Sequence, residues 1–325
     1  MRSIIHIGAN KTASTTLQRH GFAKHPEILY LGEDSAFYEE HKKLLTSVVE
    51  DDFLHFDRHN TVALFCSYGA QAQDSERIFV YSDEDISTSR LPHEVAWRLK
   101  RLMPNAKILL VIRNQLLAVP SWYASHGSLR NVPKPYFGKP VAPADWIDFN
   151  LQFPNYAPMA GFLYHRLAQL YASAFGKENV KILLYEDLLA NPTKFAKEIA
   201  DFCGVSSEIF ENAFHHHFER VGSPKRGWNE YNMGILRGFY AEDNSRLVED
   251  FGIRIDDYGY PVTQRIRKVA SLRSNEHGCG QGSAEGCSCF EGSSGLLSLG
   301  SSNQLEGRAL STTASGHVCD SGDHS

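Results

Sequence analysis

Phosphate-binding chemistry is indicated by the segment GANKTASTTLQ at 8–18, which follows the first apolar stretch of the chain. Gly8 permits a tight turn, Lys11 places a cation within that turn, and Ser14, Thr15 and Thr16 stand where a helix would begin. Free backbone N–H groups at a helix start attract anions, and hydroxyls and a lysine add donors. The segment therefore predicts a phosphate cradle, with a capped helix and a solvent-facing lysine as the alternative reading. It is not a Walker A loop, because no second glycine precedes Lys11.

A second anion site is indicated by Arg113, which ends the apolar segment KILLVIR, and by Ser121, which follows in RNQLLAVPSWY. An arginine at the end of a strand and a serine on the following helix can converge on one anion. The alternative is an arginine that pairs with a neighbouring carboxylate.

A general base is indicated by the acidic residues Asp83, Glu84 and Asp85, which follow the apolar segment RIFVYS. A carboxylate at the end of a strand can face an anion-binding loop and accept a proton there. The same residues would also suit the start of a helix, because aspartate and serine are good helix caps.

The histidine and cysteine clusters do not predict a metal site. Three consecutive histidines, 215–217, point in different directions on a helix, so they are interpreted as a solvated helix face. The pair in CSC at 287–289 lacks the second half that a tetrahedral site needs. Cys66 and Cys203 are isolated and are interpreted as free thiols.

The elements that must position these residues alternate between strands and helices. Strands are predicted at 3–8, 27–32, 77–82, 107–113 and 180–186, and helices at 14–24, 36–75, 91–102, 159–175, 193–203 and 229–250. The aromatic and proline-rich stretch 128–158 is predicted as a loop that either lines a binding cleft or packs in the core. Strands with continuous apolar character are typical of a parallel sheet covered on both faces. We predict a three-layer α/β/α fold with a mainly parallel central sheet, whose ligands bind at the carboxyl ends of the strands.

Composition bounds the remaining function classes. The chain has 325 residues, 42% of them hydrophobic, and a formal net charge of −5, which argues against a broad nucleic-acid surface. No apolar run is long enough to span a membrane and no signal peptide is apparent, so a cytoplasmic location is expected. Residues 1–264 are expected to form the α/β domain, and the Gly- and Ser-rich tail 265–325 is expected to be disordered.

Three segments in order resemble sulfotransferases that use 3′-phosphoadenosine-5′-phosphosulfate. HIGANKTASTTLQ resembles the family's 5′-phosphosulfate loop, RNQLLAVPSWY resembles its 3′-phosphate motif, and VKILLYEDLLANPTKFAKEIADFCGV resembles its later strand and helix. The resemblance spans about residues 4–204 and is greatest for bacterial-type members, through YSDE at 81–84. It implies a P-loop NTPase-like fold. Ala13 stands where the family has glycine, and Gln115 stands where proline is common.

The resemblance also implies roles for individual residues. Lys11 would stabilise the charge on the leaving group, and Glu84 would act as the base, with a histidine such as His126 as the alternative. The remaining donor contacts would come from Thr12, Ser14, Thr15, Thr16, Arg113, Ser121, Lys225 and Arg226. No metal is implied. The acceptor would be a small molecule or glycan that offers a hydroxyl or an amine, and the resemblance does not set its identity or the oligomeric state.

Two other functions remain open from the residues alone. One is a P-loop kinase that uses ATP and Mg²⁺, against which the absence of a Gly-Lys-Ser/Thr motif counts. The other is a non-catalytic relative that binds a nucleotide or a partner.

Overall fold

The computed structural model describes residues 2–127, 136–139, 141–153, 158–218 and 227–265. Lys225, Arg226 and all but the first residue of the predicted tail lie outside the described residues.

The centre of the fold is a sheet of five parallel strands. They are β1 (Ser3–Gly8), β2 (Ile28–Gly32), β3 (Ile78–Asp83), β4 (Lys107–Ile112) and β5 (Val180–Leu184), in the order β2-β3-β1-β4-β5. In the middle of the sheet Ile5 pairs with Tyr81 on one side and with Ile108 on the other. The five strands are those that the apolar segments predict, and the sheet confirms the predicted P-loop NTPase-like α/β class.

Helices surround this sheet and join its strands. They are α1 (Ser14–Thr16), α2 (Tyr38–Leu45), α3 (Arg58–Asp74), α4 (Asp85–Thr88), α5 (Pro92–Leu102), α6 (Gln115–Trp122), α7 (Pro143–Gln152), α8 (Tyr164–Phe175), α9 (Tyr185–Ala190), α10 (Pro192–Cys203), α11 (Glu208–His216) and α12 (Glu230–Phe251). Helices α1, α2 and α6 continue as π-helical turns over Leu17–Gly21, Thr46–Glu50 and Tyr123–Gly127. Short 3₁₀ turns cover Phe22–Lys24, Pro158–Phe162, Lys177–Asn179 and Asp256–Tyr258.

The two faces of the sheet belong to separate apolar clusters, because side chains alternate along each strand. Ile4 packs in a cluster with Phe22, Ile199 and Phe210, which come from the chain after α1 and from α10 and α11. Ile5 packs in the other cluster, to which α3, α5, α8 and α12 contribute. Both faces of the strands are buried, which is why their sequences read as unbroken apolar runs.

Capping residues explain several helix boundaries. The Asn191 side chain accepts a hydrogen bond from the backbone N–H of Lys194, Pro192 occupies the first turn of α10, and Gly204 ends the helix in the left-handed conformation. Asn114 caps α6 in the same way, through the backbone N–H of Leu116 at 2.9 Å.

Some predicted boundaries were wrong. The single helix predicted over 36–75 is two separate helical segments. The first ends at Glu50, and Asp57 caps the second by accepting a hydrogen bond from the backbone N–H of Asn60. The loop predicted over 128–158 contains α7, in which Pro143 occupies the first turn and Trp146 faces the core. The extent of helix α11 was not predicted, although the histidines at 215–217 were interpreted as a helix face; its buried residues Phe210, Ala213 and Phe214 carry the helical spacing.

The order of the strands sets where a ligand can bind. The chain leaves β1 toward β2 on one side of the sheet and leaves β4 toward β5 on the other. Such a reversal opens a crevice at the carboxyl ends of the strands.

No helix among the described residues has the length and apolar character needed to cross a bilayer.

Candidate functional site

The loop after β1 has an unusual backbone. Lys11 has φ 68° and Ala13 has φ 64°, so two non-glycine residues occupy the left-handed region. Alternating conformations of this kind turn successive N–H groups toward a common side, which forms a concave anion site. The Thr12 hydroxyl donates to the carbonyl oxygen of Ala9 at 2.6 Å and closes the turn from within. The loop is therefore shaped for an anion, as its sequence predicts.

Glu84 lies against this loop because Gly8 leaves room for it. A Cβ atom at Gly8 would meet Ser14 Cβ at 3.1 Å and Glu84 Cγ at 3.2 Å. The Ser14 hydroxyl donates to the Glu84 carboxyl, and the Ser87 hydroxyl donates to the carbonyl oxygen of Gly8 at 3.0 Å. These hydrogen bonds hold the first loop against the segment that follows β3.

Lys11 and Glu84 influence each other electrostatically. Burial raises the pKa of Glu84 to about 7, and the Ser14 hydrogen bond and the Lys11 charge act against this rise. Burial also lowers the pKa of Lys11, which the Glu84 charge opposes. Glu84 can therefore exchange a proton near neutral pH, as a general base must.

The two flanking carboxyls have different surroundings. Asp83 accepts a hydrogen bond from the buried His41 at 2.9 Å and another from the backbone N–H of Asp85 at 2.7 Å. Asp85 is more open to solvent, but partial removal of its carboxyl from water and the charge of Asp83 raise the pKa of Asp85 to about 6. Of the three carboxyls, Glu84 is the one held against the first loop.

Arg113 joins the same site from β4. Its Nη1 donates to the carbonyl oxygen of Lys11 at 3.0 Å, and its guanidinium lies 4.5 Å from the centre of the Tyr185 ring. Its Nε is buried and has no hydrogen-bond partner among the described residues. A buried guanidinium N–H without a partner fits an anionic ligand better than a purely structural arginine.

A cleft of about 2240 Å³ opens beside these residues. Lys11, Thr15 and Gln18 line it on the side of the first loop, and Asp83, Glu84 and Asp85 line it at the end of β3. Helix α2 adds Tyr38 and His41. The volume exceeds that of an ordinary small-ligand pocket.

The predicted site residues fall into three groups. Lys11, Thr15 and Glu84 face the cleft, and Arg113 contacts the backbone of Lys11. Thr12, Ser14 and Thr16 belong to the same loop, although their side chains are buried. Ser121 lies in α6, 9% exposed, and is not among the residues that line the cleft.

For three of the predicted site residues the structure gives no side-chain position. Lys225 and Arg226 fall outside the described residues. His126, the alternative base, lies in the turn Tyr123–Gly127, and its side chain is not described.

Sequence reasoning missed two neighbours of the site. His41 comes from a segment that carries no recognisable motif, so only its pairing with Asp83 reveals it. Tyr185 opens the YED stretch, to which the sequence resemblance assigns no role; the structure places its ring 4.5 Å from the Arg113 guanidinium.

The other side chains considered from the sequence have ordinary surroundings. His215, His216 and His217 are exposed, as predicted, and Cys203 is buried. Trp146 is fully buried, so core packing is the correct reading for this aromatic residue. Among the described residues, no group of three or more His, Cys, Asp and Glu side chains could hold a metal ion.

Comparison with known proteins gives one family. A family model described as the sulfotransferase domain matches residues 4–223. No curated protein sequence is significantly similar to this chain.

Several solved structures are similar to this chain. A sulfotransferase from Alicyclobacillus acidocaldarius is 19% identical, with a TM-score of 0.48, over 76% of this chain and 94% of that one. The sulfotransferase domain of the Synechococcus PCC 7002 olefin synthase is 16% identical, with a TM-score of 0.43, over 77% and 94%. A sulfotransferase from Mycobacterium avium is 11% identical, with a TM-score of 0.40, over 80% and 78%.

Proposed function

This chain belongs to the sulfotransferase family, and we propose that it transfers a sulfuryl group from 3′-phosphoadenosine-5′-phosphosulfate to a hydroxyl or amine of an acceptor in the cleft. One observation carries the proposal. The anion-binding loop that bears Lys11 and the near-neutral carboxyl of Glu84 are held together and line the same cleft.

Residues of the first loop would bind the 5′-phosphate end of the donor. Lys11 and Thr15 line the cleft and would supply a cation and a hydroxyl, and the left-handed residues of the loop would turn its backbone N–H groups toward the same anion. The buried hydroxyls of Thr12 and Ser14 fix the shape of the loop through Ala9 and Glu84. Thr16, the last predicted donor-binding residue of this loop, is buried as well.

Arg113 and Ser121 would bind the 3′-phosphate. The buried Nε of Arg113 has no hydrogen-bond partner in the part of the chain that the structure describes, and a phosphate oxygen would satisfy it. Lys225 and Arg226, which the sequence resemblance assigns to the same phosphate, would add positive charge there. A 3′-phosphate site of this kind would select the sulfuryl donor over ATP.

Glu84 would take the proton of the acceptor while Lys11 stabilises the leaving group. The acceptor oxygen or nitrogen forms a bond to sulfur as the bond from sulfur to the 5′-phosphate oxygen breaks, and that oxygen keeps the electron pair. Lys11 neutralises the charge that develops on it, and adenosine 3′,5′-bisphosphate leaves. No metal is assigned to this step.

The first test is binding selectivity, measured by calorimetric titration with adenosine 3′,5′-bisphosphate, ATP–Mg²⁺ and adenosine 5′-phosphate. We expect the bisphosphate to bind at micromolar concentration and the other two much more weakly. Equal or tighter binding of ATP–Mg²⁺ would instead support a P-loop kinase. Binding of the bisphosphate without turnover on any acceptor would support a non-catalytic relative.

Substitution Lys11→Ala tests the chemical step. We expect donor consumption on a panel of hydroxyl and amine acceptors to fall by about 100-fold or more, because charge on the leaving group is no longer stabilised. Lys42→Ala is the matched control, since Lys42 is an exposed lysine that lines the same cleft. Full activity in the Lys11→Ala protein would contradict the proposal.

A further inference from the structure

The peptide between Arg113 and Asn114 is held at both of its polar groups. It follows Ile112, which pairs with Leu184 at the end of the β4–β5 ladder. The Tyr164 hydroxyl donates to the carbonyl oxygen of Arg113 at 2.8 Å, and the backbone N–H of Asn114 donates to Glu186 Oε1 at 2.9 Å. Side chains from α8 and α9 therefore set the direction in which Arg113 leaves the strand.

Glu186 depends in turn on Tyr260. The Tyr260 hydroxyl donates to Glu186 Oε2 at 2.8 Å, and Tyr260 is only 3% exposed. Burial raises the pKa of Glu186, whereas the Asn114 and Tyr260 hydrogen bonds favour its charged form. A buried carboxylate that loses one of these donors becomes free to rotate or to take up a proton.

The segment that carries Tyr260 is anchored by its backbone as well. The Asn114 side-chain amide donates to the carbonyl oxygen of Tyr258 at 3.1 Å. The Asn244 amide in α12 donates to the carbonyl oxygen of Pro261 at 2.8 Å, and the Thr263 N–H donates to Ser245 Oγ at 2.9 Å. The segment lies beyond residues 4–223, which the sulfotransferase family model matches.

Glu186 also shares α9 with the residue that lies under Arg113. Tyr185, whose ring centre is 4.5 Å from the Arg113 guanidinium, directly precedes Glu186 in the chain. Holding Glu186 therefore fixes the start of α9, and with it both the backbone and the aromatic support of Arg113.

We infer that Tyr260 is a positioning residue, which acts through Glu186 to aim Arg113 at the 3′-phosphate of the nucleotide. This inference rests on the proposed function, because it assumes that Arg113 is the ligand of that phosphate. It adds a specificity determinant from a segment outside the matched domain.

The test compares two dissociation constants, those of adenosine 5′-phosphate and adenosine 3′,5′-bisphosphate, by calorimetry. The dissociation constant of adenosine 5′-phosphate divided by that of adenosine 3′,5′-bisphosphate measures what the 3′-phosphate contributes to binding. We expect Tyr260→Phe to lower this ratio by about fivefold, which is part of what a hydrogen bond to a charged group contributes, because Tyr260 acts on Arg113 indirectly. Tyr258→Phe is the matched control, because it removes a hydroxyl that donates to Asp187, the next carboxyl of α9, and leaves both hydrogen bonds of Glu186 in place. The backbone contact of Tyr258 with Asn114 is also kept, so the ratio should stay within about twofold.

A double substitution tests whether Tyr260 acts through Glu186. Glu186→Ala should lower the ratio at least as much as Tyr260→Phe, and adding Tyr260→Phe to Glu186→Ala should lower it no further. Thermal unfolding of each protein shows whether the fold is kept. An unchanged ratio in folded Tyr260→Phe, or additive losses in the double variant, would overturn the inference. A wild-type ratio near one would refute the Arg113 assignment of the proposed function itself, whatever the variants do.

Discussion

The contacts of three adjacent carboxyls single out one of them as the candidate base. Asp83 accepts a hydrogen bond from His41, and Asp85 is exposed. Glu84 alone is held against the first loop, through Ser14, in a setting that raises its pKa to about 7. Its neighbours act in both directions, since Lys11 lowers that pKa while Asp83 and Glu33 raise it.

The raised pKa of Glu84 predicts that activity increases as the pH rises. Below a pH of about 7 Glu84 holds a proton and cannot accept one, so kcat/KM for the acceptor should rise with pH and level off above that value. The measurement is a pH–rate profile at saturating donor. Glu84→Gln should lower kcat/KM by about 100-fold or more and remove this limb.

Asp85→Asn is the control for this profile, because it changes the next carboxyl and leaves the Ser14 contact intact. We expect it to keep the limb. A limb that persists in Glu84→Gln would assign the base elsewhere, and His126 would then be the first residue to test.

At the scale of elements, helix α12 explains the glutamine at position 115, where proline is common in the family. Gln115 is fully buried, donates to the carbonyl oxygen of Phe162 at 3.2 Å and exchanges two hydrogen bonds with Asn244. A buried amide needs such partners, since each unpaired polar group would be costly. The pair ties α12 to the start of α6, one residue beyond the Arg113–Asn114 peptide.

Asn244→Ala should therefore destabilise the protein. It removes the hydrogen bonds to Gln115 and Pro261 and leaves their polar groups buried, which costs about 2–4 kcal/mol of unfolding free energy. Urea denaturation followed by circular dichroism gives the value. Glu242→Ala in the same helix removes only an exposed pair with Arg246 and should change stability by less than about 0.5 kcal/mol. Equal effects of the two substitutions would contradict this account of Gln115.

At the scale of the whole molecule, the folded domain extends well past the residues that the family model matches. Helix α12 and the chain after it bury Leu236, Tyr240, Ile255 and Val262 in the larger apolar cluster. Packing therefore includes residues up to Val262, and we expect the C-terminal boundary of the folded domain to lie after it.

Two truncations test this boundary. A chain that ends at residue 265 should keep its thermal midpoint and its nucleotide binding, because the Gly- and Ser-rich composition that follows offers little apolar surface to bury. A chain that ends at residue 252 loses three buried side chains, those of Ile255, Tyr260 and Val262, and should lose about 5 kcal/mol or fail to fold. Loss of binding in the first protein, or full stability in the second, would refute the predicted boundary.

The sequence by itself determined the sheet and the place of the candidate site. Apolar runs such as KILLVI mark strands buried on both faces, and chemistry-bearing residues that follow them must meet at one edge of a parallel sheet. Lys11, Glu84 and Arg113 could be selected for that reason, and the structure gathers them around one loop. The resemblance to sulfotransferases rested on the same segments.

Only the tertiary structure decided what surrounds those residues. His41 reaches Asp83 across 42 residues, and Tyr260 reaches Glu186 across 74. Such contacts leave no local trace, because periodicity and capping report on neighbours within a few turns of the chain. The pKa of Glu84 is likewise a property of burial, which no spacing of residues encodes.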